Sequence, residues 1–169
     1  MRRSDREMTA PEDLLKVLEE GEVCHLALND GEEGYPYMLP VNYGFSVDGD
    51  GTVTLYFHGA MQGHKYDIVE RDPRASFEID CGRKLIFDDS RGYCTMDFRS
   101  VIGRGRIEFI EDRDAKIRAL TAIVDKYHPK EHFEYSKAAV DRTRVMKLTV
   151  ESMIGKNKAT KPVQPGAGK

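Results

Sequence analysis

Residues 55–65 read LYFHGAMQGHK, and the stretch changes character halfway along. Val53, Leu55 and Phe57 alternate with Thr54, Tyr56 and His58, a period of two built largely from β-branched and aromatic residues, which predicts a strand. At Gly59 the alternation stops. The small residues Gly59, Ala60 and Gly63 make a turn, and His64-Lys65-Tyr66-Asp67-Ile68-Val69-Glu70 predicts a short helix halted by Asp72-Pro73. A strand, a glycine turn and a helix opening on a lysine make a phosphate-sized anion site. N–H groups at a helix start carry the positive end of its dipole, glycines let the backbone approach, and Lys65 adds a compact charge. The competing reading of the same residues is an ordinary strand-to-helix turn with a solvated histidine and lysine.

Two further segments point toward a ligand. In residues 35–45, YPYMLPVNYGF, Tyr37, Leu39, Val41 and Tyr43 share one face, while Pro36 and Pro40 interrupt the backbone ladder. Proline inside a strand implies an edge or a bulge, where backbone groups stay free for a planar ligand. Asn42 is either a polar reader at that edge or a turn residue satisfying its own backbone. In residues 99–110, RSVIGRGRIEFI, Val101, Gly103 and Gly105 fall on one strand face, and Ser100, Ile102, Arg104 and Arg106 on the other. Two glycines on one face allow a close approach by a ligand or another backbone, or sharp coiling of a barrel strand. Arg104 and Arg106, on an acidic protein, are expected to be ion-paired.

The remaining chain supplies a scaffold. Thr9-Ala10-Pro11-Glu12 predicts a capping box with Thr9 as the cap, and a helix with Leu14, Leu15, Val17 and Leu18 on its apolar side should run to Gly21. VCHLAL, residues 23–28, predicts a strand covered on both faces, with His25 a hydrogen-bonded core residue, ending in the turn Asn29-Asp30-Gly31. Asp48-Gly49-Asp50-Gly51 is a hairpin signal that lacks the further oxygen ligands of a calcium loop. Residues 74–80 alternate as a strand, and residues 81–97 show no clean period and predict a long loop, a candidate pocket lid. A helix starts near Asp112, with Ile117, Leu120, Thr121, Val124 and Tyr127 at helical spacing, and residues 133–140 suggest a second, shorter one. Pro129 between His128 and His132 argues against a metal pair there. Residues 144–152 make a last strand, and beyond Gly155 the chain predicts a flexible tail, giving a domain over 1–154 and a tail over 155–169.

The composition of the 169 residues, with 26 Lys+Arg against 29 Asp+Glu and a net charge of −3, disfavours nucleic acid as the main partner. No stretch approaches membrane-spanning length, and MRRSDREM lacks the apolar core of a signal peptide, so a cytoplasmic location is expected. Cys24, Cys81 and Cys94 form no C-x-x-C pair. Reduced thiols are expected, with Cys24 in the core and Cys81 and Cys94 beside a polar loop. Hydrolase, zinc-protease, P-loop and dinucleotide fingerprints have no counterpart here. About six strands with a helix near each end predict an α+β protein built on a small closed antiparallel barrel, which the resemblance carried by the three quoted segments names a split β-barrel.

FHGAMQGHK resembles the H-x-A-x-x-G-H-K signature of the FMN-binding split-barrel proteins related to pyridoxamine 5'-phosphate oxidase, in particular the nitroimidazole-resistance (Nim-like) branch. YPYMLPVNY is similar to that family's Y-P-x-x-x-P-V-N-Y segment, and RSVIGRGR to its R-S-V-x-x-x-G-x strand. The resemblance extends to about Ile154. It implies an FMN-dependent reductase of small nitro-aromatic, quinone or similar acceptors, working as a homodimer with FMN in the inter-subunit groove and electrons drawn from NAD(P)H. By the same resemblance Lys65 holds the phosphate with Gly63 and His64, His58 donates to the phosphate or ribityl chain, and Phe57 lies beside it. Pro40, Val41 and Asn42 read the ring edge, Ser100 and Val101 approach the flavin, and His64 is the catalytic candidate on the substrate side; no metal is implied. The R-x-H element of the true oxidase has no counterpart in LTVESMIGKNK, and Gly63-His64-Lys65 replaces that enzyme's serine-arginine-lysine phosphate run, so its own activity is not expected. A non-catalytic flavin or haem binder on the same barrel, with His25, His64 or His128 as an axial ligand, is the alternative.

Overall fold

The computed structural model describes residues 3–32, 34–89, 92–129 and 133–159. Eight strands form one antiparallel sheet: β1 (Glu7–Met8), β2 (Cys24–Asp30), β3 (Tyr35–Val41), β4 (Gly44–Val47), β5 (Val53–Gly59), β6 (Arg74–Asp88), β7 (Tyr93–Ile110) and β8 (Arg144–Lys158). The helices are α1 (Pro11–Glu20), α2 (His64–Arg71), α3 (Arg113–Tyr127) and α4 (Lys137–Asp141). Strand order is β3-β2-β6-β7-β8-β5-β4, with β1 paired to β8. The α+β split barrel expected from the sequence is present, with eight strands rather than about six; β1 and β4 are too short to show a period.

One apolar cluster explains the curl of the sheet. Leu26 and Leu28 on β2, Phe77 and Ile79 on β6, Val101 on β7, Leu148 on β8 and Leu55 and Phe57 on β5 are all buried in a single core, although β2 and β5 lie near opposite ends of the strand order. Only a sheet wrapped around that core can gather them. Leu14, Val17 and Leu18 of α1 belong to the same cluster. The glycine pair on β7 faces inward with Val101. A Cβ on Gly103 would come within 2.5 Å of the Phe77 ring, and one on Gly105 within 2.8 Å of Leu148. Close packing and strand coiling therefore account for both glycines, with a register shift between Arg104 and Gly105 where β7 bends against β8.

Several expectations are corrected. The N-cap of α1 is Ala10, with no side-chain cap bond, so Thr9 does not close a capping box. On β2 burial alternates, Val23 is exposed, and His25 is only partly buried, its Nδ1 3.1 Å from Glu78 Oε2. The expected loop over 81–97 is instead the distal part of β6 and β7, which continues their ladder past a bulge between Cys81 and Lys84. That arm exposes Leu85, Phe87, Tyr93 and Met96. Cys81 is buried, and Cys94 is the exposed cysteine. Arg104 donates to Ser152 Oγ at 3.0 Å rather than to a carboxylate. The last strand runs on to Lys158, so position 154 falls inside β8; the rest of the predicted tail, 160–169, and His132 lie outside the described residues. No helix among the described residues is long and apolar enough to cross a membrane.

The proline-bearing strand is the sheet's edge, as expected. Among the described residues β3 pairs only with β2, with Pro36 opposite Asn29 and Pro40 opposite His25.

Candidate functional site

The turn between β5 and α2 brings four groups together. Gly59 ends β5, and a Cβ placed there would lie 2.6 Å from Tyr66 Oη and 2.7 Å from Lys65 Nζ. Glycine thus leaves room for an ammonium and a phenol to converge on the strand end. The Lys65 side chain folds back with its ammonium 5.0 Å from the centre of the Tyr66 ring. Tyr66 is buried, and its hydroxyl has no hydrogen-bond partner among the described residues. Gly63, the N-cap of α2, has φ 154°, a conformation that L side chains rarely adopt. The Tyr66 N–H donates to Gly63 O at 2.9 Å, while the His64 and Lys65 N–H groups have no carbonyl within the helix to bond, which makes the start of α2 a place for negative charge.

The electrostatics agree with an anion site. Burial lowers the Lys65 pKa from its usual 10.5. Burial first, and the Lys65 ammonium second, also lower that of His58. His58 as a whole is exposed, so only part of that shift survives solvent screening. Both groups gain if a phosphate joins them. Arg144 stacks over the Phe109 and Tyr66 rings at 4.0 and 4.8 Å and pairs with Glu70 at 2.7 Å, closing the far side of the tyrosine.

His64 opens α2 and is tied sideways. Its Nε2 lies 2.7 Å from Oδ2 of Asp30, a carboxylate whose side chain is 2% exposed at the end of β2. The Tyr37 ring meets the imidazole edge-on, with centroids 5.3 Å apart. Neither contact was legible in advance: Asp30 stands in an Asn-Asp-Gly turn pattern, and Tyr37 in a strand with two prolines. Tyr66 was likewise hidden within the apolar side of a short helix.

The other candidates form a second band. Val41 pairs with Cys24, Cys24 with Ile79, Ile79 with Val101 and Val101 with Gly155, one row across five strands, and Ser100 stands in the next row opposite Asp80. Pro40 lines a recess of about 580 Å3 with His25, Val23 and Cys81. Asn42 is exposed just past β3. Its neighbour Tyr43 is clamped: the Tyr43 hydroxyl donates to Leu18 O at 2.7 Å, and the Tyr43 N–H donates to Tyr127 Oη at 3.2 Å. Phe57 and Val101 are fully buried, so their side chains face the core and only their backbones could meet a ligand.

The structure brings Gly63, His64 and Lys65 together with the end of β5 carrying Phe57 and His58, and it keeps Ser100 and Val101 apart from them. His58 stands opposite Val145 and Val101 opposite Gly155, ten residues and about 33 Å of strand apart on β8. The two bands are joined more directly by β3, where Tyr37 against His64 and Val41 in the second band are separated by four residues, about 13 Å.

The described residues suit a flavin that carries a phosphate. The Lys65 ammonium, the Tyr66 hydroxyl and the glycine cradle suit a phosphate, and an edge strand lined by an open recess lies about 13 Å away along β3. The family model described as pyridoxamine 5'-phosphate oxidase matches residues 10–157. A Bacteroides thetaiotaomicron structure described as a 5-nitroimidazole antibiotic resistance protein is 31% identical, over 89% of this chain and 85% of that one, with a TM-score of 0.78. The flavocytochrome Anf3 of Azotobacter vinelandii (22% identity, 97% of this chain and 74% of that one, TM-score 0.77) shares the fold. So does an FAD and heme binding protein of Mycobacterium smegmatis (21%, 94% and 76%, 0.76). No curated protein matches the chain. The three matched segments, the curled sheet and these similarities together show that the chain belongs to the pyridoxamine 5'-phosphate oxidase-related split-barrel family, in its nitroimidazole-resistance-like branch.

Proposed function

We propose that this protein is a cytoplasmic FMN-dependent reductase that transfers electrons from NAD(P)H to small nitro-aromatic, quinone or similar acceptors. One observation carries the proposal: Lys65 Nζ and the Tyr66 hydroxyl, which has no partner among the described residues, converge on Gly59 at the end of β5, beside the start of α2. Lys65 and the N–H groups after Gly63 bind the phosphate, and His58 adds a donor beside them. Pro40, Val41 and Asn42 present edge-strand backbone to the ring, and the clamp on Tyr43 by Tyr127 and α1 holds that edge in place. FMN, once bound, supplies hydride exchange, while the protein orients it and excludes water. His64 stands on the acceptor side.

The distance of Ser100 and Val101 from Lys65 supports a homodimer. If both bands touch one cofactor, the β7 band comes from a second copy. The outer sheet face, where Met38 and Ile102 are 65% and 57% exposed, is apolar enough for that copy to cover.

The test is the ultraviolet-visible spectrum of the purified protein, with mass analysis of whatever heat releases. A two-banded flavin spectrum and the mass of FMN support the proposal, and NAD(P)H oxidation with nitro compounds and quinones then follows. A colourless protein that does not bind added FMN refutes it. An intense haem band with stoichiometric iron replaces it with the binder alternative.

A further inference from the structure

We propose that Asp30 is a positioning residue for His64: it holds the imidazole as the Nε2–H tautomer and makes Nδ1 the proton-handling atom beside the anion site. The inference rests on the reductase reading only in placing an acceptor next to His64. The pairing itself stands on geometry. An ionised carboxylate only accepts hydrogen bonds, so the nitrogen 2.7 Å from Asp30 Oδ2 must carry a proton in both charge states of the ring. The ring's one variable proton is then at Nδ1.

Three neighbours keep this arrangement in place. Asp30 is buried, so its carboxylate cannot swing toward solvent. Arg71, one helix face along α2, places its guanidinium 3.6 Å from the second Asp30 oxygen and also pairs with Glu32. Tyr37 packs its ring at 85° to the imidazole, which limits rotation about the bond to Asp30. The side chain of His64 is nevertheless 44% exposed, so the part of the ring not committed to Asp30 can meet a ligand at the start of α2. An acceptor that has taken up a hydride is one proton short. The Nδ1 proton of the imidazolium goes to that acceptor, and solvent returns a proton to Nδ1. Asp30 keeps Nε2 protonated throughout these events. A carboxylate that merely tied α2 to β2 would fix the same tautomer, but its replacement would leave turnover unchanged.

The experiment uses the full chain, free of cofactor and labelled with 15N-histidine, in long-range proton–nitrogen correlation spectra. His64 is expected to show a protonated Nε2, an unprotonated Nδ1 above the ring's titration, and a ring N–H slow enough in exchange to be seen. In Asp30→Asn the amide can donate to Nε2 instead, and the single Nε2–H signature should be lost. A wild-type ring protonated at Nδ1, a tautomer mixture, or a signature unchanged in Asp30→Asn would overturn the proposal. If Asp30→Asn does not fold, the wild-type spectrum alone decides. In FMN-loaded protein, Asp30→Asn should lower kcat for a nitro-aromatic acceptor about tenfold or more, with FMN affinity within about twofold of wild type. Protein that shows the expected His64 signature but binds no FMN keeps the pairing and sinks the reductase reading instead.

Discussion

Replacing Lys65 by methionine separates binding from stability with opposite signs. At an effective dielectric of about 20, unit charges 4 Å apart attract by about 4 kcal/mol, and partial exposure reduces this to about 1.5–3 kcal/mol for an ammonium facing a phosphate. Lys65→Met should therefore weaken FMN about 10–100-fold. Folding does not gain from the same charge. Burial lowers the Lys65 pKa below its unfolded value, so at neutral pH the folded protein carries the ammonium at a cost that methionine removes. The melting temperature of cofactor-free Lys65→Met should stay level or rise. Quenching of flavin fluorescence on titration with protein measures the affinity, and a thermal melt measures the stability. The wild-type affinity should also fall more steeply with salt than that of the variant. Affinity within threefold of wild type, in a variant that melts normally, would refute the assignment of the phosphate to Lys65.

Tyr66→Phe removes a buried hydroxyl that lacks a partner, and the cofactor-free protein should gain about 1 kcal/mol, or roughly 2–4 °C in a thermal melt; a loss would show that the hydroxyl is satisfied in solution. Gly103→Ala would drive a methyl group into the Phe77 ring and to 3.0 Å from Ser152 O, and urea unfolding should show a loss of about 1–3 kcal/mol. In the native protein a thiol reagent should modify Cys94 quickly. Cys24, whose pKa burial pushes up to about 12, and the buried Cys81 should react only after unfolding, and a count of more than one fast thiol would contradict their placement.

Much of this architecture was legible because burial follows strand and helix periods. The inward set Val101, Gly103 and Gly105 is a direct consequence of alternation, and the Asp112 side chain caps α3 by accepting from the Ala115 N–H at 2.8 Å, as a helix start there requires. The distal arm of β6 and β7 was not legible. Its strands are exposed on both sides, so no period marks them; they persist because the ladder nearer the core extends outward, with Lys84 opposite Asp97. The anion site was read from Gly59, Gly63 and Lys65. Asp30 and Tyr37 escaped because their importance comes from tertiary contacts with α2, which local spacing does not encode. Thr9 does not cap α1 because the helix begins one residue later than the sequence pattern predicts, at Pro11, which makes Ala10 the cap.

The prolines of β3 have a consequence for solubility. An edge strand with open N–H and C=O groups is a template for another chain, and Tyr35 and Met38, both exposed on β3, would make this template sticky. Pro36 and Pro40 have the same parity, and a proline cannot donate to a ladder, so alternate donors are missing where an incoming strand would need them. A planar ring that needs only one or two backbone contacts can still use the edge. The same two residues that open β3 to a small flat molecule thereby close it to fibril growth.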